Sequence, residues 1–126
     1  MNIGSEKMEK NVSWIFELTL TTGTAAELKA LMVELAEAAE TTEPGTLAYE
    51  WTLSEDDKIC HVHEKYKDSN AALTHLNTFT EKFAARLMAL GDATGFTVYG
   101  NPSDELREVL KGFNGEYMTP IGGFSR

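Results

Sequence analysis

Cysteine is nearly absent from this chain of 126 residues. Cys60 stands alone, so no internal disulfide can form and a thiolate metal cluster is disfavoured. Basic residues are also scarce: eleven Lys and Arg face twenty Asp and Glu, a formal net charge of −9. Such a field repels phosphate backbones and anionic lipid, so nucleic acid is not an expected partner. No stretch approaches the roughly 18–20 apolar residues of a membrane span. Met1 to Asn11 is polar and charged, without the apolar core of a secretory signal. No membrane partner is expected, and the expected compartment is the cytoplasm. The GxSxG, GxxxxGK[ST] and GxGxxG patterns are missing too, and Gly122-Gly123 is too isolated to cradle a phosphate.

What the chain does have is an ordinary globular composition, 42% hydrophobic and 25% charged. Its length suits one domain that buries roughly two-thirds of its unfolded surface, enough to fold without cross-links. Residues 1–11 are read as a candidate disordered segment, and residues 12–126 as a single domain ending in a helix and tail.

Val12, Trp14, Phe16, Leu18 and Leu20 alternate with a period of two and predict a first strand, Val12–Leu20. Thr24 and Glu27 have the spacing of a capping box, followed by the helical stripe Leu28, Leu31, Met32, Leu35 and Ala39. After Pro44-Gly45 come two strands, Thr46–Leu53 and Lys58–Lys67. The even-length loop between them sets odd positions of the first opposite even positions of the second. Leu47, Tyr49, Trp51 and Leu53 then share a face with Cys60, Val62, Glu64 and Tyr66.

Asp68 or Ser69 is expected to cap a second helix with the stripe Leu73, Leu76, Thr80, Phe83, Leu87 and Leu90. A second capping box, Thr78 to Glu81, predicts a break near Asn77-Thr78. A fourth strand is expected over Gly95–Gly100, and Asn101-Pro102 is expected to start a short helix through Leu106, Val109 and Leu110. The tail carries Tyr117, Met118, Ile121 and Phe124, too apolar for a free end.

The order β-α-β-β-α-β is the ferredoxin-like split arrangement, an α+β fold with an antiparallel sheet and helices on one face. The other face would carry Ile15, Thr19, Ala48, Glu50, Thr52, His61, His63, Thr97 and Tyr99. Its mixed character suits partial burial against a second copy, so a homodimer through this face and the tail is expected.

Certain segments also resemble a known family: Glu43-Pro44-Gly45-Thr46-Leu47-Ala48-Tyr49, then His63-Glu64-Lys65-Tyr66-Lys67-Asp68, Ala71-Ala72-Leu73, His75 and Thr78-Phe79. In this order and spacing they resemble the antibiotic biosynthesis monooxygenases, of the dimeric α+β barrel type, over Val12 to Tyr99. The resemblance implies oxidation of a small phenolic or quinol-type aromatic by molecular oxygen, with no metal, flavin or haem and hence no cofactor. The substrate anion itself would react with oxygen. The protein would supply a base, hydrogen bonds to the developing oxyanion and a dry pocket between sheet and helices. Relatives of this type include isomerases of small carbonyl compounds and proteins without demonstrated chemistry. A carbonyl isomerase and a non-catalytic small-molecule-binding protein are therefore the alternatives. A haem-degrading branch needs a histidine late in the helix after the third strand, and Phe79 to Gly91 contains none.

Glu64 and His75 are the candidate catalytic residues. Glu64 falls on the core parity of its strand, where a bare carboxylate is costly. It is either a base or substrate-orienting acceptor, or a carboxylate tied to a helix N-terminus, a tyrosine or Arg86. His75 borders the core of its helix. It is either a proton-transfer group, as the resemblance implies, or a partly exposed histidine in the last turn before the expected break. On the first reading His75→Ala removes turnover and leaves the melting temperature nearly intact.

Tyr66, Trp51 and Tyr49 are candidate substrate-binding residues that can sandwich a ring, although aromatics at strand spacing also simply build cores. Tyr66, near its strand end, is the best placed of the three. Asn77 either caps the helix break or donates to a ligand. His61, His63 and Glu50 form a metal alternative, two imidazoles and a carboxylate on one face, against an ordinary polar pair at an interface.

Overall fold

The structure, a computed structural model, describes residues 10–126. The expectation for Met1–Asn11 thus falls mostly outside the described residues. The chain runs β1 (Val12–Leu20), α1 (Ala25–Thr42), β2 (Thr46–Leu53), β3 (Ile59–Tyr66), α2 (Ser69–Lys82), α3 (Ala84–Met88), β4 (Gly91–Gly100), α4 (Asp104–Leu110), a 3-10 turn (Lys111–Phe113) and β5 (Glu116–Met118). The sheet order is β2-β3-β1-β4-β5, antiparallel except for the parallel β4–β5 pair. This is the expected ferredoxin-like α+β arrangement, with the sheet of the single chain open. Among the described residues no helix is long and apolar enough to cross a membrane.

Alternation decides which side chains meet. On β1, Val12, Trp14 and Leu18 are buried. Across the hairpin Tyr49 pairs with Glu64 and Trp51 with Val62, the register that loop length predicted. Leu47 departs from the expected face and is 53% exposed, because a bulge between Thr46 and Ala48 shifts the parity of the strand start. α1 begins with the predicted capping box, Thr24 and Glu27 each accepting from the other's backbone N–H. It buries Leu28, Leu31, Leu35 and Ala39. α2 is capped by Asp68, which accepts from the Ala71 N–H at 2.8 Å.

Four other expectations are corrected. α2 runs on past Asn77-Thr78 and breaks only at Phe83, because the Thr78 hydroxyl donates to the Thr74 carbonyl inside the helix instead of capping a new one. β4 begins at Gly91, ahead of Gly95, its polar first residues tied to β1 through Thr94, Thr19 and Glu17. α4 is capped by Ser103, which accepts from Leu106 N–H, so Asn101-Pro102 lies before the helix. The tail adds β5 to the sheet edge, while Ile121 and Phe124 remain exposed.

Two apolar clusters form. One gathers Trp14, Tyr66, Ala72, Leu76, Val98, Leu106 and Leu110; the other sets α1 against Leu18, Cys60, Val62 and Leu87. Cys60 belongs to the second, and burial pushes its thiol up to about 11, so it is inert packing rather than a nucleophile.

Candidate functional site

Between the inner sheet face and α2–α3 lies a cavity of about 560 Å³. Tyr49 and Trp51 line it from β2, Trp14 and Phe16 from β1, Phe96 from β4, and Phe79 from α2. Aromatic walls of this kind suit a planar ring. Glu64 and His75 form its acidic and basic end.

The polar groups arrive from three elements. Strand parity forces Glu64 inward between Val62 and Tyr66, and it is 8% exposed. The helical stripe Ala72, His75 and Leu76 buries His75 in the middle of α2, not in a last turn. Glu43 closes α1, and Pro44-Gly45 turns the chain beneath α2. A Cβ on Gly45 would lie 2.6 Å from the Ala71 Cβ, so only glycine lets the turn approach this closely.

The result is one buried chain of contacts. Glu43 Oε1 accepts from the Thr46 hydroxyl at 3.0 Å and lies 2.8 Å from His75 Nδ1. His75 Nε2 makes an ion-pair contact with Glu64 Oε1 at 3.3 Å, and the Tyr66 hydroxyl donates to that same oxygen at 2.5 Å.

Burial is the largest single influence on His75 and opposes its charge. The hydrogen bond His75 donates to Glu43, the contact with Glu64 and the charges of both carboxylates together outweigh it, pushing its pKa up to about 9. Glu43 is likewise opposed chiefly by burial, yet His75 and Thr46 hold it below the usual carboxylate value. His75 is therefore an imidazolium at neutral pH, donating from Nδ1 to Glu43 and facing Glu64 with Nε2. Its ring sits 5.0 Å from Tyr49 and 5.4 Å from Tyr66, and lies parallel to Phe79 at 6.3 Å, so aromatic rings surround it.

Burial first, then the charge of Glu64, raises the pKa of both Tyr49 and Tyr66. Both phenols stay protonated, and neither serves as a base. The Trp51 indole N–H is buried without a hydrogen-bond partner among the described residues; the Tyr49 phenol is near it but not at bonding geometry. An orphaned donor costs about 1–3 kcal/mol, which a ligand oxygen in the cavity would offset.

Of the residues singled out from sequence, Glu64, His75, Tyr49 and Trp51 come together at the cavity. Tyr66 does not line it. Fully buried, it stands behind Glu64 and fixes that carboxylate. Asn77 is exposed on α2, because the helix continues through it; it neither caps a break nor faces the cavity. Arg86 pairs with Glu34 and not with Glu64. The metal alternative does not assemble: His61 Nε2 contacts Glu17 at 2.9 Å, His63 pairs across the strand with Glu50, and among the described residues no three His, Cys, Asp or Glu are grouped to hold an ion.

Glu43 was not among the sequence candidates. Its signal is a carboxylate at a helix C-terminus with no basic residue in the last turn, where the helix dipole disfavours it. A residue placed against its electrostatic preference needs a partner elsewhere, and here that partner is His75.

Residues 12–85 match the family model described as antibiotic biosynthesis monooxygenase. No curated protein matches the chain. Among solved structures, MupZ from Pseudomonas fluorescens is similar at a TM-score of 0.84 and 22% identity, over 94% of this chain and 91% of its own. SnoaB from Streptomyces nogalater, described as a cofactor-independent oxygenase, gives 0.61 and 20% over 71% of this chain and 90% of its own. Rv0793 from Mycobacterium tuberculosis gives 0.60 and 20%, over 70% and 91%. At these identities the likeness concerns the fold.

Proposed function

The chain belongs to the antibiotic biosynthesis monooxygenase family, and on that footing we propose that it oxidises a small phenolic or quinol-type aromatic with molecular oxygen, without a cofactor. The observation that carries this reading is a carboxylate and an imidazolium held side by side at the end of an aromatic cavity. The oxygenase SnoaB, similar in fold, supports it. Glu64 takes the phenolic proton, and its Oε2 is the oxygen left for that task, since Tyr66 and His75 both engage Oε1. The anion so formed supplies the electrons to oxygen. Positive charge on His75 stabilises the developing oxyanion in a water-poor site, and the Trp51 N–H orients a second substrate oxygen.

The test is an oxygen electrode with hydroquinones and naphthols. Uptake that matches product formation, and is lost in Glu64→Gln, is expected. Turnover of a carbonyl compound without oxygen would replace this reading with the isomerase. That second reading is favoured by the placement of His75 between two buried carboxylates, which keep a transferable proton on the ring at the cavity. Ligand-induced stabilisation with no turnover of either kind would leave a binding protein.

The same proposal includes a homodimer through the outer sheet face, where Ile59 and Tyr99 are 38% and 39% exposed. Light scattering at micromolar concentration should give twice the chain mass, and a monomer there removes it.

A further inference from the structure

One edge of the cavity is built from chain beyond the residues 12–85 that match the family model. After α4 the 3-10 turn brings Phe113 and Asn114 to the cavity wall. This strap is fixed at both ends. Leu106 and Leu110 of α4 are buried with Trp14 and Leu76, while β5 pairs with β4 and the Arg107 guanidinium sits 4.3 Å above the Tyr117 ring. Its middle is fixed too. Phe113 lies 5.5 Å from Phe96, and a Cβ on Gly115 would come within 2.6 Å of the same ring, so the strap rests directly on the cavity's β4 wall. Asn114 adopts a left-handed conformation (φ 53°), which asparagine tolerates better than most residues and which turns the chain from the 3-10 turn into β5.

We propose that this strap is the specificity-determining wall of the site, and that the half-buried Phe113 ring limits how many fused rings the cavity admits. A rigid apolar side chain that ends a cavity sets its length, and truncating it enlarges the space available to ligand without touching Glu64 or His75. The proposal rests on the cavity as the ligand site but not on the oxidation assigned to it.

Both tryptophans of the chain, Trp14 and Trp51, line the cavity and report on access to it. Acrylamide quenching of their fluorescence should rise about twofold or more in Phe113→Ala, and an intermediate rise is expected in Phe113→Leu, which keeps an apolar side chain at that edge and guards against a folding defect. Quenching unchanged in both variants overturns the proposal. Calorimetric titration with phenol, 1-naphthol and 9-phenanthrol should then show the preference for three rings over one increasing about tenfold in Phe113→Ala. Affinities that all change by the same factor would mark Phe113 as merely structural and also overturn it. If the parent binds none of the three phenols while quenching rises as expected, the phenolic reading of the site fails and the strap remains its wall.

Discussion

Two histidine–glutamate contacts, one on each face of the sheet, have almost the same length and different consequences. His75 Nδ1 lies 2.8 Å from Glu43 and His61 Nε2 lies 2.9 Å from Glu17. The side chains of the first pair are 5% exposed, and those of the second 42% and 32%. Inside, a second carboxylate reaches the other ring nitrogen, the low-dielectric surroundings magnify each charge, and the imidazolium persists to about pH 9. Outside, Glu17 is held below its usual value by the Thr94 hydroxyl first and His61 second, in contact with water that attenuates the attraction. Separation does not distinguish a structural pair from a chemical one here; enclosure and the number of charges do.

The comparison is tested most sharply at the reacting end. Glu64→Gln preserves shape and removes the base, so quinol-dependent oxygen uptake should fall about 10²–10⁴-fold. Glu17→Gln, on the other face, should leave uptake unchanged. Equal losses in both variants would mean that activity tracks folding and not the buried charges. Next in size is stability. Glu43→Ala leaves a buried imidazolium with one partner fewer, and denaturant melts should show a loss of about 3–5 kcal/mol. His75→Ala is expected to lower stability along with turnover, against the expectation drawn from a histidine at the core border. It strands two buried carboxylates at opposite ends of the space it vacates.

Acidity gives the third test. His75 has its pKa raised from 6.5 to about 9, so its contribution to stability is complete below pH 6.5 and is lost as pH rises through about 9. That shift corresponds to on the order of 3 kcal/mol. Glu43 is shifted downward, so its contribution is present above its ordinary 4.5 and disappears as pH falls below that. Denaturation free energy should therefore be highest between roughly pH 5 and 6.5 and decline on the alkaline side. His75→Gln should abolish the decline between about pH 6.5 and 9, below the range in which the buried Cys60 thiol and the two phenols ionise. A decline in that window that survives the substitution belongs to another group, and His75 is then not a buried imidazolium.

These groups were unequally legible in the sequence. The period-two strands placed Tyr49, Trp51 and Glu64 on one face, and the even loop gave their register, because strand geometry is local and repetitive. The Thr78–Glu81 pattern misled, since a capping box is also local, and the buried Ala72, His75 and Leu76 with the half-buried Phe79 kept the helix intact across it. Glu43 could not be paired by pattern at all. It meets His75 across 32 positions, through a turn whose approach depends on the missing side chain of Gly45. The strap at Phe113 was hidden for the same reason, as a parallel strand closed by non-local contacts leaves no periodic signal in three residues.

The smallest expected effect is also the one that reads the outer face. A double-mutant cycle between Glu17 and His61 should give a coupling of about 0–1 kcal/mol, the range for exposed pairs, and it should shrink as salt is raised. The cycle between Glu43 and His75 should be several times larger and nearly indifferent to salt, because both side chains are buried away from solvent ions. The two results diverge only while the outer face meets water. If a second copy covers that face, water and ions leave the Glu17–His61 pair as well. Its coupling should then grow with protein concentration and lose its salt dependence, so the smallest number measured would register the assembly of the sheet into a dimer.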